Sequence, residues 1–200
     1  DYSVWDPQKD PLIFKHYDSS DLSGKGVNKK QLQKLCGLSV KKNIPLFGFV
    51  GRLAEQKGVD LLLEMAKKLN TLDVQMVILG AGDQKYHLIL EKMAGKNPKR
   101  FSLHLKFDET MAHRIYAGSD MFFMPSRYEP CGLGQMISFK YGTIPIVYKT
   151  GGLSDTVFPF SPKTQEGNGF VFDSYSKEAF SAVVKKCLAV FGETIAWQPL

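Results

Sequence analysis

Three side chains stand out for the chemistry that their type and surroundings allow. Arg52 and Lys57 lie five residues apart in the glycine-bounded stretch Gly51-Arg52-Leu53-Ala54-Glu55-Gln56-Lys57-Gly58. Arginine offers a planar fork and lysine a compact charge, so two cations at this spacing can reach two oxygens of one diphosphate. The plainer alternative pairs Arg52 with Glu55 and leaves Lys57 solvated. Glu129 opens the stretch Glu129-Pro130-Cys131-Gly132-Leu133-Gly134-Gln135. There Gly132 and Gly134 let a ligand approach the backbone, and the start of the following helix offers N–H groups to an anion. A functional carboxylate beside a phosphate cradle is one reading of it; a capping charge held by the helix dipole is the other.

Weaker signals share this character. Thr150, Gly151 and Gly152 in Lys149-Thr150-Gly151-Gly152-Leu153 suit a close approach to phosphate or sugar, or a simple turn. Phe107 ends an apolar run, where a ring either stacks on a base or sugar or joins the core. Gly80-Ala81-Gly82-Asp83 suggests a dinucleotide fingerprint, but the third glycine would fall at Lys85. A tight turn with Asp83 capping the next helix is the better expectation.

These stretches gain weight from the elements that must carry them. Apolar runs at 46–50, 74–79, 101–105, 121–124, 144–148 and 169–172 alternate with helical patterns at 58–69, 84–94, 108–117, 132–141, 153–157 and 177–191. A further short helix is expected at 28–37, with Asn28 as N-cap and Gly37 as stop. Runs such as Met76-Val77-Ile78-Leu79 do not alternate polar with apolar residues, as expected of strands covered on both faces of a parallel sheet. The pattern predicts an α/β, Rossmann-like, doubly wound parallel sheet of about six strands in the order 3-2-1-4-5-6. Right-handed crossovers put every strand-to-helix loop on one sheet edge, and all the residues singled out above fall in such loops.

Composition narrows the classes. Hydrophobic residues are 44% and charged residues 23% of 200, the balance of an ordinary globular chain rather than a disordered tail. No apolar stretch approaches the roughly 18–20 residues of a membrane span. The opening Asp1-Tyr2-Ser3-Val4-Trp5-Asp6 has neither the basic start nor the apolar middle of a signal peptide. It lacks a Met, and Trp197-Gln198-Pro199-Leu200 carries no helix stop, so part of a larger protein is expected. The net charge of +6 is spread over scattered Lys-Lys pairs, which read as solvated faces rather than a nucleic-acid surface. Three cysteines without C-x-x-C spacing predict neither a disulfide framework nor a zinc site, and suit a reducing compartment.

Taken together, the loops resemble the glycogen and starch synthases of glycosyltransferase family 5. The resemblance runs in order through Trp5–Asp10, Asp21–Lys25, Gly51–Leu53 with Gln56–Gly58, His113–Ile115, Pro125–Leu133 with Gln135, and Lys149–Leu153. It implies the GT-B fold, two Rossmann-like halves facing across a cleft. Residues 1–200 would be a single C-terminal, donor-binding domain, with the N-terminal acceptor domain and the final crossover helix absent. Arg52 and Lys57 would grip the donor diphosphate, and Glu129 would hold the donor glucose and stabilise positive charge near its anomeric carbon. Cys131 and Leu133 would lie at the donor pocket, and the N–H groups of Gly132 to Gly134 would meet the distal phosphate. Phe107 would stack on the base where many members place a Tyr. Thr150, Gly151 and Gly152 would line the sugar and phosphate side.

The chain also departs from the family pattern. Gly134 stands where a Thr is common, which removes a hydroxyl from the phosphate side. Ile137 stands where many related retaining transferases carry a second Glu; its absence fits the bacterial and plastid synthases and counts against the broader sucrose-synthase-like family. The implied activity is retaining transfer of glucose from ADP-glucose to an α-1,4-glucan, with no cofactor and no metal, and no nucleic-acid or membrane partner. The expected setting is a bacterial cytoplasm, or alternatively a plastid stroma. The isolated domain is expected to bind ADP weakly and to elongate nothing. The alternatives are another GT-B transferase using a UDP- or GDP-sugar, and a module that only binds nucleotide or glucan.

Overall fold

A computed structural model describes residues 4–193. Residues 1–3 and 194–200, on which the reading of the two ends partly rests, lie outside the described residues. Six strands form one parallel sheet: β1 (Leu46–Val50), β2 (Gln75–Leu79), β3 (Phe101–His104), β4 (Met121–Met124), β5 (Ile144–Tyr148) and β6 (Phe170–Phe172). Their order is β3-β2-β1-β4-β5-β6, as expected, with Phe47 opposite Met121 where β1 meets β4. The helices are α1 (Ser23–Leu35), α2 (Val59–Lys67), α3 (Gln84–Lys96), α4 (Glu109–Gly118), α5 (Gly134–Lys140), α6 (Gly151–Thr156) and α7 (Lys177–Gly192).

Both sheet faces are covered, which is why the strands read as unbroken apolar runs. Phe47, Phe49, Met76, Ile78, Phe123 and Ile146 point to one core with α2, α3 and α7. Leu46, Val77, Leu79, Phe122 and Met124 point to the other, with α1 and α4. The rings of Phe47 and Phe123 stack across the β1–β4 seam at 4.7 Å. At this seam the chain reverses its direction of winding, and a crevice opens beyond the strand ends.

Two capping expectations fail. Helix α1 begins at Ser23, five residues before Asn28, so Asn28 is interior and buried. Its side chain accepts from Phe14 N at 2.9 Å and donates to Gly24 O at 2.9 Å, stapling the opening segment to α1. Gly37 does follow the helix end, with φ 66°. Asp83 does sit at the N-cap of α3, but its side chain makes no cap bond. The turn is held instead by Asp83 N donating to Leu53 O at 2.8 Å.

The opening segment is clamped by a buried polar cluster. Asp10 Oδ2 lies 2.7 Å from His113 Nδ1 and accepts from Tyr141 Oη at 2.5 Å, while Trp5 stacks on His113 with centroids 3.8 Å apart. Asp10 Oδ1 accepts from Leu12 N at 2.8 Å. No helix among the described residues is long and apolar enough to cross a membrane.

Candidate functional site

The loops after β1 and β4 meet over the seam because their strands are neighbours. Lys57, in a 3-10 turn at Glu55–Lys57, brings Nζ to 2.6 Å from Glu129 Oε2. Ser126 Oγ donates to the same oxygen at 3.0 Å, and both Ser126 and Glu129 are buried. Backbone bonds fix the two loops together: Arg127 N donates to Gln56 O at 2.8 Å, and Gln56 Nε2 donates to Tyr128 O at 3.1 Å. Gly58 permits this contact. It has φ 73°, and a Cβ there would stand 2.1 Å from Pro125 O.

Arg127 braces the far side of the loop. Its Nη2 lies 3.0 Å from Asp60 Oδ2 and its guanidinium lies over the Tyr175 ring at 4.1 Å. Tyr175 Oη donates to Asp60 Oδ1 at 2.7 Å. Burial and the neighbouring Asp60 carboxylate push the Tyr175 phenol well up, so it stays a donor.

Two cavities adjoin at Val50, which lines both. One, of about 450 Å³, is lined by Lys57, Glu129, Ser126 and the Cys131–Gly134 loop, with Tyr116 and Met124 deeper in. The other, of about 350 Å³, is lined by Arg52, Gly80, Lys106 and Phe107. Phe107 is 94% exposed and is therefore no core ring. Arg52 makes its hydrogen bond to Gln56, Nη2 to Oε1 at 3.4 Å, while Glu55 faces Arg127 Nε at 3.8 Å, so the local Arg52–Glu55 pair is not formed.

The structure thus brings Arg52, Lys57, Phe107, Glu129, Cys131, Gly132, Leu133 and Gly134 to two adjoining cavities. Leu133 is 75% exposed at the rim. Thr150, Gly151 and Gly152 line neither cavity. They pack behind the Glu129 loop, where Gly152 N donates to Glu129 O at 3.1 Å and Thr150 Oγ1 to Arg127 O at 3.3 Å. Gly151, at φ 44°, would place a Cβ 2.1 Å from Glu129 O. Ser126 and Tyr116 are site residues that sequence reasoning assigns no role. Ser126 carries a local signal in its place three residues before Glu129, whereas Tyr116 reads as an ordinary apolar-face residue of α4. Among the described residues no group of three His, Cys, Asp or Glu could hold a metal ion.

Chemically, the arrangement sets two cations and a buried carboxylate around a concave space with an aromatic ring at one end. That is a set suited to a phosphorylated ligand with a planar base at one end and an electrophilic centre at the other.

Comparisons with known proteins bear on the family and the fold. The family model for glycosyl transferases group 1 matches residues 37–190. Over its whole length the chain is 46% identical to a glycogen synthase of Geotalea uraniireducens and 44% identical to one of Fervidobacterium nodosum, covering 41% of each relative. The chain therefore spans about two-fifths of the length of these relatives. Among solved structures, the catalytic domain of starch synthase IV from Arabidopsis thaliana bound to ADP and acarbose superposes with a TM-score of 0.93. The match has 37% identity and covers 99% of this chain and 42% of that one. Anabaena HepE in complex with UDP and glucose shares the fold, with a TM-score of 0.67 at 18% identity over 93% of this chain and 49% of that one.

Proposed function

The chain belongs to the glycosyl transferases group 1 family, and from that premise we propose that it is the donor-nucleotide-binding domain of a retaining glucosyltransferase that elongates an α-1,4-glucan from ADP-glucose. The observation that carries this reading is the pair of adjoining cavities at Val50, one holding Phe107 and Arg52, the other Lys57 and Glu129. The base stacks on Phe107, the diphosphate crosses the seam between Arg52 and Lys57, and the glucose comes to rest beside Glu129. The starch synthase IV structure, carrying ADP and acarbose, supports ADP as the nucleotide.

In this reaction the bond from the anomeric carbon to the diphosphate breaks while the glucan hydroxyl oxygen bonds that carbon on the same face, its proton passing to the departing diphosphate. The transition state gathers negative charge on the leaving nucleotide and positive charge on the sugar. Preorganised charge is therefore the main source of catalysis: cations at the diphosphate, carboxylate at the sugar. Most of the acceptor site and the rest of the cleft belong, in this reading, to an N-terminal acceptor domain outside this chain, so the isolated 200 residues bind nucleotide weakly and transfer nothing. A bacterial cytoplasm is the setting we propose, by analogy with the Geotalea and Fervidobacterium relatives.

Titration of the chain with ADP, UDP and GDP, following amide shifts near Arg52, Phe107 and Gly132, tests the donor. ADP is expected to bind tightest and to move all three. A preference for UDP or GDP would reassign the donor, and no response to any of them would remove the nucleotide site.

A further inference from the structure

Tyr116 of α4 is 4% exposed, its ring stacked on Phe122 at 4.5 Å and met edge-on by Trp5 at 5.5 Å. Its ring is thus fixed by packing, yet no described residue hydrogen-bonds its hydroxyl. Tyr116 lines the same 450 Å³ cavity as Lys57, Glu129 and Gly134. The hydroxyl comes up beneath Gly134: a Cβ added there would lie 3.3 Å from Tyr116 Oη and 3.1 Å from Met124 Cε. Glycine at 134 therefore leaves open the space between the loop and the phenol, which any side chain would narrow.

The hydroxyl faces the cavity from a ring that packing holds in place, so it is aimed at whatever acceptor occupies that space. Burial raises the phenol above its ordinary range, so it remains a protonated donor at neutral pH. The groups it can serve are acceptors that enter the cavity past Gly134. We infer that the Tyr116 hydroxyl donates a hydrogen bond to the distal phosphate of the bound nucleoside diphosphate, supplying from below the hydroxyl that position 134 lacks. The inference rests on the nucleotide reading of the site. It adds a specificity determinant, since a nucleoside monophosphate has no group to meet Tyr116.

The test is calorimetric titration of the chain and its Tyr116→Phe variant with ADP and with AMP, alongside thermal midpoints. A hydrogen bond to a charged oxygen accounts for about tenfold in affinity or more. The expected result is an ADP affinity lowered about tenfold, with AMP affinity and thermal midpoint unchanged. ADP affinity within twofold of the parent, or equal weakening of ADP and AMP, would overturn the assignment while leaving the nucleotide site standing. Failure of the parent chain to bind ADP at all would sink the underlying reading, and the inference with it.

Discussion

Lys57 Nζ lies 2.6 Å from Glu129 Oε2, joining two residues 72 positions apart across the seam between β1 and β4. Ser126 Oγ holds the same oxygen from 3.0 Å. The cation assigned to the diphosphate and the carboxylate assigned to the sugar are thus one electrostatic unit. A ligand phosphate must share Lys57 with Glu129 or take it over.

Separating the two roles is the first prediction. Lys57→Ala should weaken ADP binding to the chain about tenfold, on the scale of a charge-assisted contact. Glu129→Gln should leave ADP affinity within a few-fold. In the enzyme completed by its N-terminal portion, Glu129→Gln should lower turnover by on the order of 10²–10³. Steady-state kinetics with ADP-glucose and glucan would measure it, and near-normal turnover would remove Glu129 from the reaction.

Phe107, almost fully exposed, contributes little to the fold. Phe107→Ala should change stability by no more than about 0.5 kcal/mol. The same change should weaken ADP by about 1–3 kcal/mol, the usual range for a lost base–aromatic stack. Phe107→Tyr should bind like the parent or better. Equal ADP affinity in the parent and Phe107→Ala would place the base elsewhere.

Asp10 carries three partners with its side chain buried: Leu12 N, His113 Nδ1 and Tyr141 Oη. Removing the carboxylate strands all three. Asp10→Ala should destabilise the chain by about 3–5 kcal/mol, the scale for stranding several buried hydrogen-bond partners at about 1–3 kcal/mol each. Urea unfolding would measure this, and a cost below about 1 kcal/mol would show the cluster to be dispensable.

Lys25 gives a pH dependence. Its Nζ donates to Tyr141 O at 2.9 Å and Thr143 Oγ1 at 2.7 Å. Burial pushes its ammonium down to about 7, with Lys29 acting in the same sense and Asp120 opposing. The unfolded chain, with an ordinary lysine near 10.4, then binds more protons than the folded one above pH 7. Stability therefore rises with pH. From pH 7 to 8, before unfolded cysteine thiols ionise appreciably, the gain should be about 1 kcal/mol, or about 2–4 °C in thermal midpoint. Lys25→Met should flatten that rise; an unchanged slope in the variant would exclude Lys25 as its source.

Much of the architecture is a property of the sequence by itself. Strands buried on both faces must be apolar throughout, so six unbroken runs separated by helical periodicity determine a parallel sheet and place the loops on one edge. Cations, carboxylate and glycines in those loops determine where chemistry belongs, and the family resemblance supplies what kind. Local signals are less secure, because several partners compete for one polar side chain. Asn28 looks like a cap but binds the opening segment instead, and Asp83 sits at a cap position without capping.

Only the tertiary structure decided which loops touch. Adjacency of β1 and β4 sets Lys57 against Glu129. Close backbone contacts behind the site make Gly151 and Gly152 spacers for the Glu129 loop. Position in a helix pattern marks Tyr116 as core, but the missing side chain at Gly134 is what opens its hydroxyl to the cavity. The physical reason is range: periodicity is written within about ten residues, whereas a binding site is assembled from strand ends whose order and spacing exist only once the sheet has formed.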